Sequence, residues 1–403
     1  MASPEDPLRF VSAISNADDT ADALDEVLDV VEESLGGSGV DLILAFVSPH
    51  HRNGFGMIAQ ATRGRLNPQV VVGLTAGGVL GSGEELESRP GLSFLAGRLP
   101  GVQLRGFDAE TLAWPSEEEE PESLRQKLLG EDARGSDTAG ILLFADPFST
   151  PLTKLLPAIT RAFPGAPLIG GLCSGGPSPG DNRLLLDDRV MTEGLVGVSL
   201  VGKVRVDCTV SQGCRPVGQP WVITEARHNL IQQVGGRPVL EVVREMVEAM
   251  DDQDRLAVEN GLFVGRVIDE YKDRFGRGDF LIRNIVGADE DSGYIAIGDL
   301  VRPGQSIQFH VRDAQTARED MRLMLEGQKL HGPAAGAMLC TCSGRGTHLF
   351  SHANVDSGLV REALGAVPLA GFFAGGEIGP IGRQNFVHGF TASLAVFRDP
   401  TEA

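Results

Sequence analysis

Three clusters in this chain carry residue types that can do chemistry. The first is Gly171-Leu172-Cys173-Ser174-Gly175, a cysteine in the spacing of a nucleophile elbow after an apolar run. A thiol on such a turn can attack an acyl group once a base draws off its proton. The second is Cys340-Thr341-Cys342-Ser343-Gly344-Arg345-Gly346-Thr347-His348, followed by His352. Extended backbone puts both cysteines on one face. Their spacing to the histidines does not match the usual zinc intervals, so no metal is assigned. Arg345 closes the run, where a guanidinium suits a carboxylate or another anion. The third is Glu377, directly after Gly375-Gly376, with Glu84 a little beyond Gly77-Gly78. Arg345 for a carboxylate and Glu377 for an amine would suit an amino-acid-like molecule. Surface salt bridges would give the same two residues. The run Gly197 to Lys203 nearly matches a phosphate loop, but no hydroxyl follows Lys203 and its interior alternates like a strand.

These clusters sit in a pattern that recurs three times. Apolar strands at Leu42–Val47, Ile141–Ala145 and Ala337–Cys342 are each followed by a helical stretch and a second short apolar strand. Each second strand runs into a Gly-x-x-x-Gly-Gly loop: Gly73 to Gly78, Gly171 to Gly176 and Gly371 to Gly376. Roughly 25, 25 and 28 residues separate strand end from first glycine, which points to duplication. Strand-helix-strand order implies parallel pairing with a right-handed crossover, and the strand after each loop is expected to be antiparallel. The position of Cys173 is Thr75 in the first copy and Phe373 in the third. A shared loop without a shared nucleophile turns the reading away from an enzyme.

Other stretches fill the gaps. Leu24, Val27, Leu28, Val31 and Leu35 mark a helix that Gly36-Gly37 stops. Pro157 should kink the helix in the second copy. Pro238–Met250 is an amphipathic helix, followed by an antiparallel meander over residues 262–311 and a polar-faced helix from Ala314 to Lys329. Ser116–Pro121, with four glutamates, is expected to be an exposed acidic loop.

Composition bounds the function. Against 55 acidic residues stand 35 basic ones, a net charge of −20, which excludes nucleic acid and anionic membrane surfaces as natural partners. Five cysteines are too few and too odd a set for a disulfide framework. Residues 1–10 hold Glu5 and Asp6 and no apolar run, so a secretory leader is not expected. A cytoplasmic protein is expected. Glycine is 52 of 403 residues, about 13 % against a usual ~7 %. The three loops take up part of that excess, and glycine after a buried strand lets a ligand approach the backbone.

The residues also resemble a known family. Val71 to Gly78, Leu168 to Gly176 and Gln212-Gly-Cys-Arg-Pro-Val-Gly218 are similar to the N-terminal part of the FIST sensory-domain family. Gly278 to Asn284, Gln308 to Asp313, the Arg345-Gly346 turn, Gly371 to Pro380 and His388-Gly-Phe-Thr391 resemble its C-terminal part. The resemblance spans nearly the whole chain. It implies a sensor module that binds small ligands, amino acids or their derivatives, and that works with signalling partners. Eukaryotic relatives carry an F-box and recognise proteins for ubiquitination; no F-box, kinase or methyl-accepting segment is visible here.

The expectation is therefore an α/β protein of duplicated strand-helix-strand-loop-strand units in mixed sheets, with a helix-and-meander insert. Its halves are expected at 1–205, with two units, and 206–403, with the insert and the third unit. The favoured function is a non-catalytic small-ligand sensor of signal transduction, with no catalytic residue, cofactor or metal assigned. Its pocket is expected to be lined by Thr75, Gly77, Gly78, Cys173, Ser174, Gly175, Gly176, Cys340, Arg345, Gly346, Gly375, Gly376 and Glu377. The alternatives are a cysteine-dependent hydrolase or transferase, and a protein-interaction scaffold akin to F-box substrate-recognition proteins.

Overall fold

A computed structural model describes residues 7–35, 39–115, 119–130 and 138–400. The Gly36-Gly37 helix stop, part of the Ser116–Pro121 loop and the first six residues lie outside the described residues. Contacts divide the chain into two compact units elsewhere than at residue 205. One comprises Met1–Val210, Met321–Val387 and Thr391–Ala403; the other comprises Ser211–Asp320 with His388–Phe390.

The larger unit follows one plan three times. The first pass is β1 (Arg9–Ser15), α1 (Thr20–Leu35), β2 (Leu42–Val47), α2 (Phe55–Leu66), β3 (Val70–Thr75), the hairpin β4 (Gly78–Gly81) and β5 (Glu84–Glu87), and β6 (Leu92–Arg98). The second is β7 (Val102–Asp108), α3 (Ala109–Leu112), α4 (Pro121–Leu129), β8 (Thr138–Ala145), α5 (Leu152–Ala162), β9 (Leu168–Leu172), the hairpin β10 (Leu184–Leu186) and β11 (Arg189–Met191), and β12 (Leu195–Gly202). The third opens with β13 (Arg205–Gln212).

The smaller unit interrupts that third pass in sequence. It holds β14 (Cys214–Arg227), β15 (Leu230–Val234), β16 (Arg237–Pro238), α6 (Val239–Glu248), α7 (Asp252–Glu259), β17 (Leu262–Val267), β18 (Phe280–Asp289), β19 (Tyr294–Ile297) and β20 (Ser306–Arg312). The third pass then resumes with α8 (Ala314–Lys329), β21 (Gly336–Cys342), α9 (Val355–Leu364), β22 (Leu369–Ala374), the hairpin β23 (Glu377–Ile381) and β24 (Gln384–His388), and β25 (Thr391–Arg398).

Local chemistry sets these elements. Asp19 caps α1 by accepting from the N–H groups of Ala21 and Asp22, and Leu24, Val27, Leu28 and Val31 form its buried stripe. Asn67 ends α2 in a left-handed conformation, donating to the Arg63 carbonyl. The central strands are apolar on both faces, as parallel strands covered on both sides must be. β2 pairs parallel with β3, β8 with β9 and β21 with β22, each across an intervening helix. β6, β12 and β25 then pair antiparallel with β2, β8 and β21.

Alternation divides the side chains between two layers. Leu42, Leu44 and Phe46 face one core while Ile43, Ala45 and Val47 face the helices α1 and α2. Leu142 and Phe144, Met338 and Cys340, and Ala370 and Phe372 reach the same inner core from the other two sheets. Phe46, Phe144 and Phe372 meet there, with ring centroids 5.2 to 6.0 Å apart.

The hairpin after each glycine loop leaves its own sheet. β4 pairs with β22 of the third pass, β10 with β3 of the first, and β23 with β9 of the second. The three sheets consequently share one strand order: β1-β6-β2-β3-β10-β11, β7-β12-β8-β9-β23-β24 and β13-β25-β21-β22-β4-β5. The exchange runs in a closed cycle, so each sheet is completed by another pass of the chain.

The smaller unit has its own core, including Val217, Ile231, Val264, Ile295 and Phe309. Its sheet runs β14-β20-β17-β18-β19-β15-β16, with a further β14–β15 pairing that closes it on itself. β17, β18 and β19 pair antiparallel in succession, as a meander does.

Candidate functional site

The three glycine loops meet one another inside the larger unit. Ser174 is the junction: its hydroxyl accepts from the Gly77 N–H at 2.9 Å and donates to the Phe373 carbonyl. Leu172 donates to the Gly376 carbonyl at 2.8 Å, and Gly375 donates back to Leu172 at 3.0 Å. A Cβ at Gly175 would stand 2.6 Å from the Thr75 Cβ, and one at Gly375 would stand 2.9 Å from the Cys173 carbonyl oxygen. These glycines therefore have a reason within the protein: backbone approaches backbone too closely for a side chain.

Asn182 ties the junction together, and sequence reasoning missed it. Its amide nitrogen donates to Asp146 at 2.9 Å, while its oxygen accepts from the Gly175 N–H at 3.1 Å. Thr75 is fully buried, and its hydroxyl accepts from the Arg183 N–H at 2.8 Å. Gly176 lies against Asp181, and Gly78 pairs with Glu87 within the β4–β5 hairpin.

A second cluster forms where β21 ends. Arg345 and Glu377 are each 0 % exposed, which rules out the surface salt bridges that were the alternative reading of these residues. Arg345 Nε and Nη2 donate to the two oxygens of Asp356 at 2.8 and 2.7 Å, and Thr341 donates to the same carboxylate at 2.6 Å. The guanidinium lies 5.4 Å from the centroid of the Phe350 ring. Its remaining nitrogen, Nη1, is buried and makes no hydrogen bond among the described residues. Glu377 Oε2 accepts from the Thr391 N–H and hydroxyl at 3.1 and 2.7 Å, while its buried Oε1 makes no hydrogen bond in good geometry among the described residues. Burial pushes the Glu377 carboxyl up to about 8, although Thr391, Arg345 and Cys342 all favour its ionised form.

Carboxylates from the β4–β5 hairpin cover this cluster. Glu85 accepts from the N–H groups of Asn354 and Ser357 at 2.9 and 2.8 Å, and Glu87 accepts from the Thr347 N–H and hydroxyl. Gly346 has positive φ, and a Cβ there would strike the Glu87 carboxylate. Burial, with Asp356 nearby, raises the Glu85 carboxyl. Glu84, which the sequence singled out, instead pairs with Arg89 at 2.8 Å in an exposed position.

Cys173 and Cys340 belong to the same central core. Burial raises both thiols, and the Asp146 and Glu377 charges raise them further. A thiol in such a setting stays protonated and is a weak nucleophile. Among the described residues, no three of His, Cys, Asp and Glu are grouped to hold a metal ion.

The family model for the FIST N domain matches residues 41–237, and that for the FIST C domain matches residues 240–380. This chain belongs to the FIST family. FIST domains are sensory domains of signal transduction. An uncharacterised protein of Mycobacterium tuberculosis strain H37Rv is 37 % identical over 396 residues, 97 % of this chain and 100 % of its own length. An uncharacterised protein of Mycobacterium bovis is 37 % identical over 399 residues, 98 % of this chain and 100 % of its own. The junction of the N-terminal match, Ser174, and the ionic cluster of the C-terminal match, Arg345 and Glu377, lie in one compact unit of this FIST protein. Among its described residues, no helix is long and apolar enough to cross a membrane.

Proposed function

We propose that this FIST protein is a non-catalytic sensor for a small zwitterionic ligand, an amino acid or a derivative. One observation carries the reading. Arg345 Nη1 and Glu377 Oε1 are a buried donor and a buried acceptor that make no hydrogen bond in good geometry among the described residues, though the two charges and the Cys342 thiol already bear on one another. A buried polar group without a hydrogen bond costs about 1–3 kcal/mol, so buried groups nearly always find one. A carboxylate against Nη1 and an ammonium against Oε1 would satisfy both. The ammonium would favour the ionised form of Glu377, so binding releases a proton near neutral pH.

Both atoms are shut off from solvent, and access requires the Arg345–His348 turn to open. Such coupling of binding to a local opening is what a sensor needs in order to report its ligand. The Ser174 junction links the turn's sheet to the other two and would pass that motion on to a signalling partner. The five free thiols fit a reducing cytoplasm. A cysteine-dependent hydrolase or transferase is less well supported, because the Cys173 thiol is held protonated.

The test is a thermal-shift screen of the full chain against amino acids and related metabolites. At 100 times its Kd a ligand should stabilise by about 2.7 kcal/mol. Arg345→Gln and Glu377→Gln should each abolish the shift, and the heat of binding should vary with buffer ionisation. A ligand that binds both variants as well as the parent would refute the assignment.

A further inference from the structure

A cleft of about 450 Å³ opens at the edge of the larger unit, away from both clusters described above. It is bounded by the start of β1, the β4–β5 turn, the end of α9 and the start of β22. Arg9 and Arg361 both line it, with the hydroxyl-bearing Ser12, Ser34 and Ser82. Val367 and Pro368 add an apolar wall. Among the described residues, the lining contains no carboxylate.

Both arginines are exposed, and they are among several described arginines without a carboxylate in contact. Arg65, Arg237, Arg283 and Arg345 each have a carboxylate in contact. Among the described residues, neither Arg9 nor Arg361 has a side-chain hydrogen bond or an ion pair. Arg9 faces Arg98 across the β1–β6 pairing, so the opposite strand gives it a like charge and no counterion. Arg361 lies in the last turn of α9, where a cation is favoured by the helix. Its aliphatic stem packs at Gly83, where the β4–β5 turn has positive φ. Ser12 and Ser82 already hydrogen-bond each other at 3.0 Å and Ser12 also accepts from the Leu369 N–H at 3.2 Å, which leaves the pair one hydroxyl proton to donate toward the cleft.

We propose that this cleft binds the phosphate group of a small phosphate monoester. Two guanidiniums match a doubly charged oxyanion, and planar N–H forks suit its oxygens. The serine hydroxyls can serve the remaining oxygens. The volume exceeds that of a bare anion and falls in the range of small-molecule sites, and the Val367–Pro368 wall gives an organic body something to pack on. This site is independent of the zwitterion site, so either can fail alone.

The experiment is calorimetric titration of the full chain at about pH 8, where phosphate monoesters are dianions. The probes are phenyl phosphate, inorganic phosphate and succinate. Phenyl phosphate should bind about tenfold more tightly than either of the others. Arg9→Gln and Arg361→Gln should each weaken it by about tenfold or more, with unchanged circular dichroism. Arg227→Gln removes an exposed arginine of the smaller unit and should leave binding intact. The proposal is overturned by absence of phenyl phosphate binding. It is equally overturned if inorganic phosphate or succinate binds as well, or if Arg227→Gln weakens binding as much as the cleft variants do.

Discussion

Arg345 grips both carboxylate oxygens of Asp356, and neither side chain touches solvent. Removing one partner strands the other charge in a low-dielectric interior. Asp356→Ala should therefore cost about 3–5 kcal/mol in urea denaturation, far above a surface pair. Replacing both residues by apolar ones of similar size should recover most of that loss. A single-variant cost under about 1 kcal/mol would mean that the pair is solvated in solution.

Ser174 offers a second test. Ser174→Ala leaves the Gly77 N–H and the Phe373 carbonyl without their shared partner, which should cost about 1–3 kcal/mol. Gly175→Ala forces a methyl against Thr75 and should cost about 1–3 kcal/mol through overpacking. Equal stability of both variants and the parent in thermal melts would show that the loops do not bear on each other.

Glu377 predicts how stability depends on pH. Its carboxyl is raised from 4.5 to about 8, so the native state keeps a proton that the unfolded chain releases in that window. Stability should fall as pH rises from about 4.5 to about 8 and then level off. Glu85 is raised too and slopes the same way. Glu377→Gln should flatten the dependence of the urea midpoint on pH. An identical slope in parent and variant would contradict the assignment.

The thiols give a chemical test. Cys173 and Cys340 are 1 % and 0 % exposed, and burial raises both. Neither should take up iodoacetamide from the native protein at neutral pH, and both should label after denaturation. Mass spectrometry of the peptides reads the result. Native labelling of Cys173 would revive the nucleophile reading.

Much of this was legible in the chain. The apolar runs at Leu42–Val47 and Val70–Thr75 announce parallel strands because they are buried on both faces. The Gly-x-x-x-Gly-Gly runs were visible by spacing and carried part of the resemblance to FIST, but the structure places their first glycines, Gly73, Gly171 and Gly371, inside β3, β9 and β22. β1 and β7 were missed. Polar residues interrupt Val102–Asp108, which pairs at one sheet edge, so its pattern is weak. The hairpin exchange was invisible because β4 and β10 are only four and three residues long, and pairing partners are not encoded locally. Arg345 was recognised as a polar contact, but its partner Asp356 was not, since it falls in the first turn of a helix that reads as ordinary. The chemistry of a strand end depends on what the next helix folds back over it.

The cyclic exchange of hairpins also sets an order of events during synthesis. β4 and β5 leave the ribosome early, yet their partner β22 follows roughly 290 residues later. The first sheet is completed by β10 about 100 residues after β5, while the β4–β5 hairpin still waits for its own partner. Such an edge invites association with other nascent chains. The ring closes only when the last strands arrive, so a ribosome that stalls before residue 369 releases a chain whose first sheet is complete but whose second and third sheets still lack their exchanged hairpins.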